Sequence, residues 1–207
     1  MTGSEKPAGV ILAGGRSSRM GVTRKALLEL DGRSLLAHVI DRLQAQLDPL
    51  ILSCESQTSD FDTFSFPVVA DLEPRYRGPL TGLCSALQYL ADKGHDNGMV
   101  LCPCDAPFVP ETLVQTLLEA GQGRKKPVVV ISYQGVLQPT FSLWHNHHLP
   151  VIQKAVMNEG MGGLKQILAS LPHTVVDWEL EEPPPFFNVN TPEELQTAAT
   201  WLDHMHA

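Results

Sequence analysis

Six short apolar runs rich in β-branched residues, each bounded by Gly, Pro or polar residues, recur along this chain: Val10–Ala13, Leu50–Ser53, Pro67–Ala70, Met99–Cys102, Val128–Ile131 and Thr174–Asp177. Runs of this length and composition read as strands buried on both faces. The stretches between them carry helical periodicity and recognisable ends. Ser34 is placed to cap a helix presenting Leu35, Leu36, Val39, Ile40 and Leu43. A second helix is expected from near Pro79 to Gly94, and a third from Pro110. Thr191-Pro192-Glu193-Glu194 opens the last one, with a capping hydroxyl, a proline at the first helical position and a glutamate three residues after the cap.

Strands alternating with helices of this size predict a mainly parallel sheet with helices on both faces, a three-layer Rossmann-like α/β fold. The chain has 207 residues, 43% of them hydrophobic, enough for one sizeable core. No repeat, charge block or low-complexity stretch divides it, and Pro183-Pro184-Pro185 reads as a stiff connection rather than a domain linker. A single domain over residues 1–207 is therefore expected. In such sheets ligands sit beyond the carboxyl ends of the strands, so the chemistry is expected there.

Charge narrows the function classes. Asp and Glu number 23 against 15 Lys and Arg, a net charge of −8, without the basic excess that a duplex-binding module uses to displace phosphate counterions. Nucleic acid is not an expected partner. No run of 18 or more apolar residues offers a membrane span, and the opening MTGSEKPAG lacks the apolar core of a signal peptide. With four cysteines and no C-x-x-C, structural thiols in a reducing compartment are the simplest account, and a cytoplasmic location with no membrane partner is expected. The cations Lys6, Arg16, Arg19, Arg24, Lys25 and Arg33 nonetheless crowd the first 35 residues, while the segment from Asp177 onward has seven acids and no Lys or Arg. A basic start on an acidic protein suits a small anionic ligand held locally.

Three constellations carry chemistry. Leu12-Ala13-Gly14-Gly15-Arg16-Ser17-Ser18-Arg19-Met20-Gly21, followed by Lys25, ends the first strand. Glycines beside small hydroxyl residues let main-chain N–H groups approach an anion, and Arg16, Arg19 and Lys25 supply countercharge. This predicted phosphate cradle matches neither G-x-G-x-x-G nor G-x-x-x-x-G-K-[ST]. Next, Cys102-Pro103-Cys104-Asp105-Ala106-Pro107 puts a carboxylate at a strand tip, where Mg²⁺ takes oxygen ligands and keeps water or substrate phosphate in its other positions. Asp105 could alternatively cap the following helix, and Cys102 and Cys104 read as packing. Third, Phe186-Phe187-Asn188-Val189-Asn190-Thr191-Pro192 places two amides that need partners, from a ligand, a metal or a turn. His145-Asn146-His147-His148 lacks an acid or cysteine at ligand spacing, so zinc is not expected there.

Taken together and in order, these segments resemble the molybdenum cofactor guanylyltransferase (MobA) family of the nucleotidyltransferase superfamily. That pattern resembles L-A-G-G-x-S-x-R-M-G, Lys, G-P-L-x-G, C-D-x-P and N-V-N-T-P-E, found here as Leu12–Gly21, Lys25, Gly78–Gly82, Cys104–Pro107 and Asn188–Glu193. The resemblance implies the nucleotide-diphospho-sugar transferase type of the fold, with residues 1–110 mainly binding nucleotide and 111–207 mainly binding acceptor. It implies transfer of GMP from GTP to the phosphate of molybdopterin, giving molybdopterin guanine dinucleotide and pyrophosphate, with Mg²⁺ as cofactor.

By position, the resemblance assigns Leu12, Ala13, Gly14 and Gly15 to the nucleotide, Lys25 to its phosphates and Asp105 to the metal. Asp71 and the Gly78, Pro79 and Leu80 loop also fall at nucleotide-binding positions, and Asn190 matches a second metal ligand of sugar nucleotidyltransferases. Gly15, where related cytidylyltransferases carry alanine, points to guanine. Departures are Arg24 where an acid is common, Ser53 where asparagine is common, and the basic Arg75-Tyr76-Arg77. Ser53 is kept among the nucleotide contacts.

The acceptor phosphate has a second pKa near 6 and is largely dianionic at pH 7, so no general base is required. What the reaction demands is countercharge for two anions, from Lys25, Arg19 and the ion at Asp105. Gln138, Asn188 and Asn190 are the acceptor-binding candidates. The alternatives are a molybdopterin cytidylyltransferase, a sugar-phosphate nucleotidyltransferase, or a nucleotide-binding adaptor without turnover. GTP and molybdopterin are the expected small-molecule partners, with transient contact to molybdenum-insertion or acceptor enzymes a further expectation.

Overall fold

A computed structural model describes residues 6–14, 24–72, 78–123 and 126–206. Strand β1 (Ala8–Leu12) opens the chain, and a short hairpin of β2 (Glu29–Leu30) and β3 (Arg33–Ser34) precedes α1 (Leu35–Leu43). There follow β4 (Leu50–Cys54), β5 (Val68–Ala70), α2 (Pro79–Asp92), β6 (Met99–Pro103), α3 (Leu113–Ala120), β7 (Val128–Tyr133) and β8 (Val136–Trp144). The chain closes with α4 (Leu149–Met157), α5 (Leu164–Leu168), β9 (His173–Trp178) and α6 (Pro192–His206).

Among the described residues one seven-stranded sheet runs β5-β4-β1-β6-β8-β7-β9, and β8 alone is antiparallel to its neighbours. The predicted three-layer, mainly parallel α/β fold is what forms. Side chains alternate across it. Val10, Met99, Leu101, Val128 and Val130 pack with α2, α4 and α5 on one face, while Ile11, Val100, Cys102, Val129 and Ile131 pack with α1 and α3 on the other. Each fully buried leucine or valine in these layers contributes about 1.5–3 kcal/mol. Trp201, Ala198 and Leu202 of α6 form a smaller cluster with Phe108, Leu30 and Leu35, which seats the last helix beside the β2–β3 hairpin.

The helix ends follow local chemistry. Ser34 Oγ accepts from Ala37 N at 3.1 Å, capping α1. Around α6, Thr191 Oγ1 accepts from Glu194 N at 3.2 Å, and Glu194 Oε2 accepts from Thr191 N at 2.9 Å. Two expectations change. The third helix starts at Leu113 rather than Pro110, because residues 110–112 form a turn in which Pro110 O accepts from Leu113 N at 3.1 Å. The runs Thr174–Asp177 and Pro67–Ala70 are the two sheet edges rather than strands buried on both faces: along β9, His173, Val175 and Asp177 are exposed, and Val68 and Ala70 of β5 are half-buried.

Strand β8 has no counterpart among the predicted strands. It holds Gln138-Pro139-Thr140, and its register against β7 shifts between Val130 and Ile131, a bulge that accommodates the proline. The β7–β8 hairpin turns at Gln134 (φ 52°) and Gly135 (φ 73°), both left-handed, the geometry of a two-residue connection that matches strand twist. Because β8 runs backwards, its first residues return to the carboxyl ends of the parallel strands.

Candidate active site

The carboxyl ends of β1, β4, β5 and β6 form one edge. Ala13 N donates to Ser53 O at 2.8 Å, Cys104 N to Leu12 O at 3.2 Å, and Asp71 N to Cys54 O at 3.0 Å. These bonds continue the ladders past the strands and bring Leu12, Ala13, Gly14, Ser53, Asp71 and Asp105 to neighbouring tips. A side chain at Gly14 would lie 3.2 Å from Glu55 N, so glycine keeps this turn against β4.

Lys25 begins a short helical turn after the glycine segment, and its ammonium donates to Asp105 Oδ2 and Asn190 Oδ1. Only 12% of the Lys25 side chain and 13% of that of Asp105 is exposed. The chain from 188 to 190 is fastened there by its backbone: Val189 N donates to Asp105 O at 2.9 Å. Asn190 Nδ2 donates to Asn188 O at 3.0 Å, which turns Oδ1 toward the lysine, and Asn190 N donates to Glu194 Oε2. Asp105 does not cap α3, whose N-cap Thr112 makes no side-chain capping bond.

The residues fit a hard divalent ion. Asp105 Oδ1 is buried and has no hydrogen-bond partner among the described residues, and Asp105 Oδ2 and Asn190 Oδ1 already converge on a cation. No group of three or more His, Cys, Asp or Glu suited to a metal occurs among the described residues, so protein oxygens would fill only part of the shell and phosphate or water the rest.

Alongside lies the α2 entrance. A Cβ on Gly82 would sit 2.7 Å from Ser53 Oγ, 2.9 Å from Leu12 Cδ2 and 3.8 Å from Asp71 Oδ1, so these four residues pack closely at the strand tips. Gly78 has φ 135°, and any side chain there would strike Gly162 O, which also accepts from Leu80 N at 3.1 Å. The Gly78-Pro79-Leu80 turn is thus clamped to the segment before α5. Burial, assisted by the charge of Glu55, raises the Asp71 carboxyl to about 6. A protonatable carboxyl at this strand tip can hydrogen-bond a polar ligand.

Not every sequence candidate joins this group. Gln138 lies at the same end of the sheet, where its amide donates to Val136 O at 3.4 Å, and among the described residues no hydrogen bond joins it to Lys25, Asp105 or Asn190. Asn188 Oδ1 is buried without a partner among those residues. Gly15 and Arg19 lie outside the described residues. Arg24 is engaged elsewhere, donating to Asp60 Oδ2 at 2.7 Å above the Phe61 ring. Sequence reasoning missed Glu55 and Gly162, for the second of which the glycine cluster at Gly160-Met161-Gly162-Gly163 was the available signal; Glu194 was expected as the capping glutamate, but not its further bond to Asn190 N.

A glycine turn, a lysine and a carboxylate gathered at the carboxyl edge of a doubly wound sheet define a protein that handles nucleoside phosphates. The chain belongs to the MobA-like NTP transferase domain family, whose model matches residues 9–175. It is 36% identical over 190 residues to the molybdenum cofactor guanylyltransferase of Rhodopseudomonas palustris (strain BisB5), covering 91% of this chain and 90% of that one. The Vibrio cholerae molybdenum cofactor guanylyltransferase is 33% identical over 187 residues, 90% of this chain and 88% of its own. Among solved structures, molybdopterin-guanine dinucleotide biosynthesis protein A from Archaeoglobus fulgidus superimposes with a TM-score of 0.78 at 20% identity, covering 96% of this chain and all (100%) of that one. A CMP:2-keto-3-deoxy-manno-octonic acid synthetase complexed with CTP gives 0.71 at 14% identity, over 97% and 99% of the two chains. Both share the fold.

Proposed function

We propose that this protein transfers GMP from GTP to the terminal phosphate of molybdopterin, releasing pyrophosphate. The observation that carries the reading is the convergence of Lys25, Asp105 and Asn190 beside the Leu12–Gly14 turn in a chain about a third identical to molybdenum cofactor guanylyltransferases. An acceptor phosphate oxygen attacks the α-phosphorus of GTP, a P–O bond to that oxygen forms, and the bond from the α-phosphorus to the bridging oxygen breaks. The acceptor arrives largely dianionic, so no residue must remove a proton.

Countercharge is what the chain must supply. Main-chain N–H groups of residues 12–15 cradle the phosphates, Lys25 and Arg19 neutralise charge that builds on the departing pyrophosphate, and Asp105 with Asn190 holds Mg²⁺. When bound, that ion polarises the α-phosphoryl group and screens the two anions from one another. Asp71, Ser53 and the Gly78-Pro79-Leu80 turn contact the nucleoside, with Gly15 favouring guanine. Asn188, Asn190 and Gln138 take the acceptor, so residues 1–110 mainly serve the nucleotide and 111–207 the acceptor within one domain. No described helix is long and apolar enough to cross a membrane. The four cysteines are unpaired and buried, which suits the cytoplasm.

Purified protein given each of GTP, CTP, ATP and UTP with Mg²⁺ and molybdopterin tests the reading. Pyrophosphate should appear with GTP and only when acceptor is present. Turnover with CTP instead would make this a cytidylyltransferase. Nucleotide binding without turnover would make it an adaptor.

A further inference from the structure

The Lys25 ammonium lies between the two oxygens assigned above to a divalent ion, donating to Asp105 Oδ2 and Asn190 Oδ1 together. Neither Asn190 nor the backbone of Asp105 depends on Lys25 for its place. Asn190 is oriented by Asn188 O and Glu194 Oε2, and Asp105 is tied to the same segment by Val189 N. Lys25 and Asp105 are largely withdrawn from water, with 12% and 13% of their side chains exposed, whereas Asn190 is exposed. A second cation that takes Asp105 Oδ2 and Asn190 Oδ1 together must compete with the ammonium for both.

The contest favours the lysine while no nucleotide is bound. Its ammonium is tethered and competes at the high effective concentration of an intramolecular ligand. Magnesium, by contrast, dehydrates reluctantly and is usually held by one or two carboxylates plus substrate phosphates, which are absent at that stage. A triphosphate reverses the balance by offering several negative charges to a flexible four-carbon side chain that can swing without backbone movement.

We infer that Lys25 is an internal cation that closes the Asp105–Asn190 pair to divalent ions until a triphosphate draws it away, so that metal and nucleotide enter as one unit. The inference rests on the assignment of Asp105 and Asn190 to the metal. It gives one side chain two posts: on the carboxylate before nucleotide arrives, and on the phosphates afterwards. No covalent bond changes in the exchange, and the Asp105 carboxylate is never left without a countercharge.

The test is Mn²⁺ binding followed by electron paramagnetic resonance on the full chain, without acceptor, for wild type, Lys25→Met and Lys25→Met/Asp105→Asn, each with and without GTP. Without nucleotide, Lys25→Met should bind Mn²⁺ at least tenfold more tightly than wild type, and Asp105→Asn should abolish that gain. Equal affinities for wild type and Lys25→Met without nucleotide, with Asp105-dependent Mn²⁺ binding to wild type once GTP is added, would overturn the gate and leave the metal assignment standing. Mn²⁺ binding indifferent to Asp105→Asn in either background, with or without GTP, would remove the metal assignment and the gate with it. Lys25→Gln, uncharged but still able to donate to Asn190, serves with the same two outcomes if circular dichroism shows Lys25→Met unfolded.

Discussion

Val189 gives its backbone N–H to the carbonyl oxygen of Asp105 at 2.9 Å, joining the tip of β6 to the segment that leads into α6. This bond fixes the spacing between the backbone at 105 and the segment that carries Asn190, whatever side chain stands at 105. Asp105→Asn, nearly isosteric, should therefore keep the fold, with an unchanged far-ultraviolet spectrum, while transfer falls by about 10²–10³-fold, the scale of losing one electrostatic stabiliser of a transition state. Near-normal kcat in the purified variant would remove Asp105 from the site.

Asp71 should leave a signature in the pH dependence of stability. Its carboxyl is raised from 3.8 to about 6 in the folded protein, so the native state binds the extra proton between those values. Stability from this group is present at low pH and is lost as pH rises through roughly 4 to 6, then stays flat. Asp71→Asn should remove that loss, raise Tm at pH 8 and weaken GTP binding at least tenfold. An unchanged Tm at pH 8 together with unchanged GTP affinity would sink the prediction.

At the opposite pole, beside the first residues of β6, the slope should have the other sign. Burial lowers both His145 and His148 to about 4 from 6.5; Lys126 and His147 add to the effect at His145, and Asp96 opposes it. Above about 6.5 neither state is protonated, whereas below it the unfolded chain takes up protons that the folded one refuses, so stability falls from about pH 6.5 to 4. Both ring nitrogens of His145 are buried without partners among the described residues. His145→Phe should flatten the decline, read as urea midpoints at pH 7, 6 and 5. A slope identical to wild type would contradict it.

Gly82 faces Ser53 Oγ and Leu12, with Asp71 Oδ1 close by. Gly82→Ala must push those groups aside by several tenths of an ångström, so KM for GTP should rise about tenfold while KM for the acceptor hardly moves. Initial-rate measurements with each substrate varied would detect the split, and parallel changes in both constants would refute a nucleotide-side role.

Glu194 bonds two successive backbone N–H groups, those of Asn190 and Thr191. Glu194→Ala should destabilise the protein by about 0.5–1.5 kcal/mol, because the reciprocal half of the capping box is lost while Thr191 Oγ1 still accepts from the backbone N–H of residue 194. It should also lower kcat more than Tm alone explains, because Asn190 is no longer held. Glu194→Gln retains an acceptor and should recover most of both.

The parallel part of the fold is legible because strands such as β1, β4 and β6 are short, β-branched and walled by glycine or proline, while helix ends such as Thr191–Glu194 satisfy their own first turn. β8 escapes the same reading because Gln138 and Pro139 break its pattern; partners on β6 and β7, distant in sequence, override local preference. Lys25, Asp105 and Asn190 each stand out by residue type and position. That one ammonium bonds both others depends on β1 lying beside β6 and on the Val189 bond, neither of which is written in local spacing. Glu55 was invisible for a related reason: its influence on Asp71 comes from adjoining strand tips rather than from any motif.

The reversal of β8 has an architectural consequence. Because the chain doubles back through Gln134 and Gly135, a hairpin reaches the carboxyl edge of the sheet without spending a crossover helix, and among the described residues its tip carries no ladder bonds to β1, β4, β5 or β6. Residues can be inserted or exchanged at that bend while β1, β4, β5 and β6 keep their positions. The bend can in this way vary in shape independently of the strand tips that carry the proposed site.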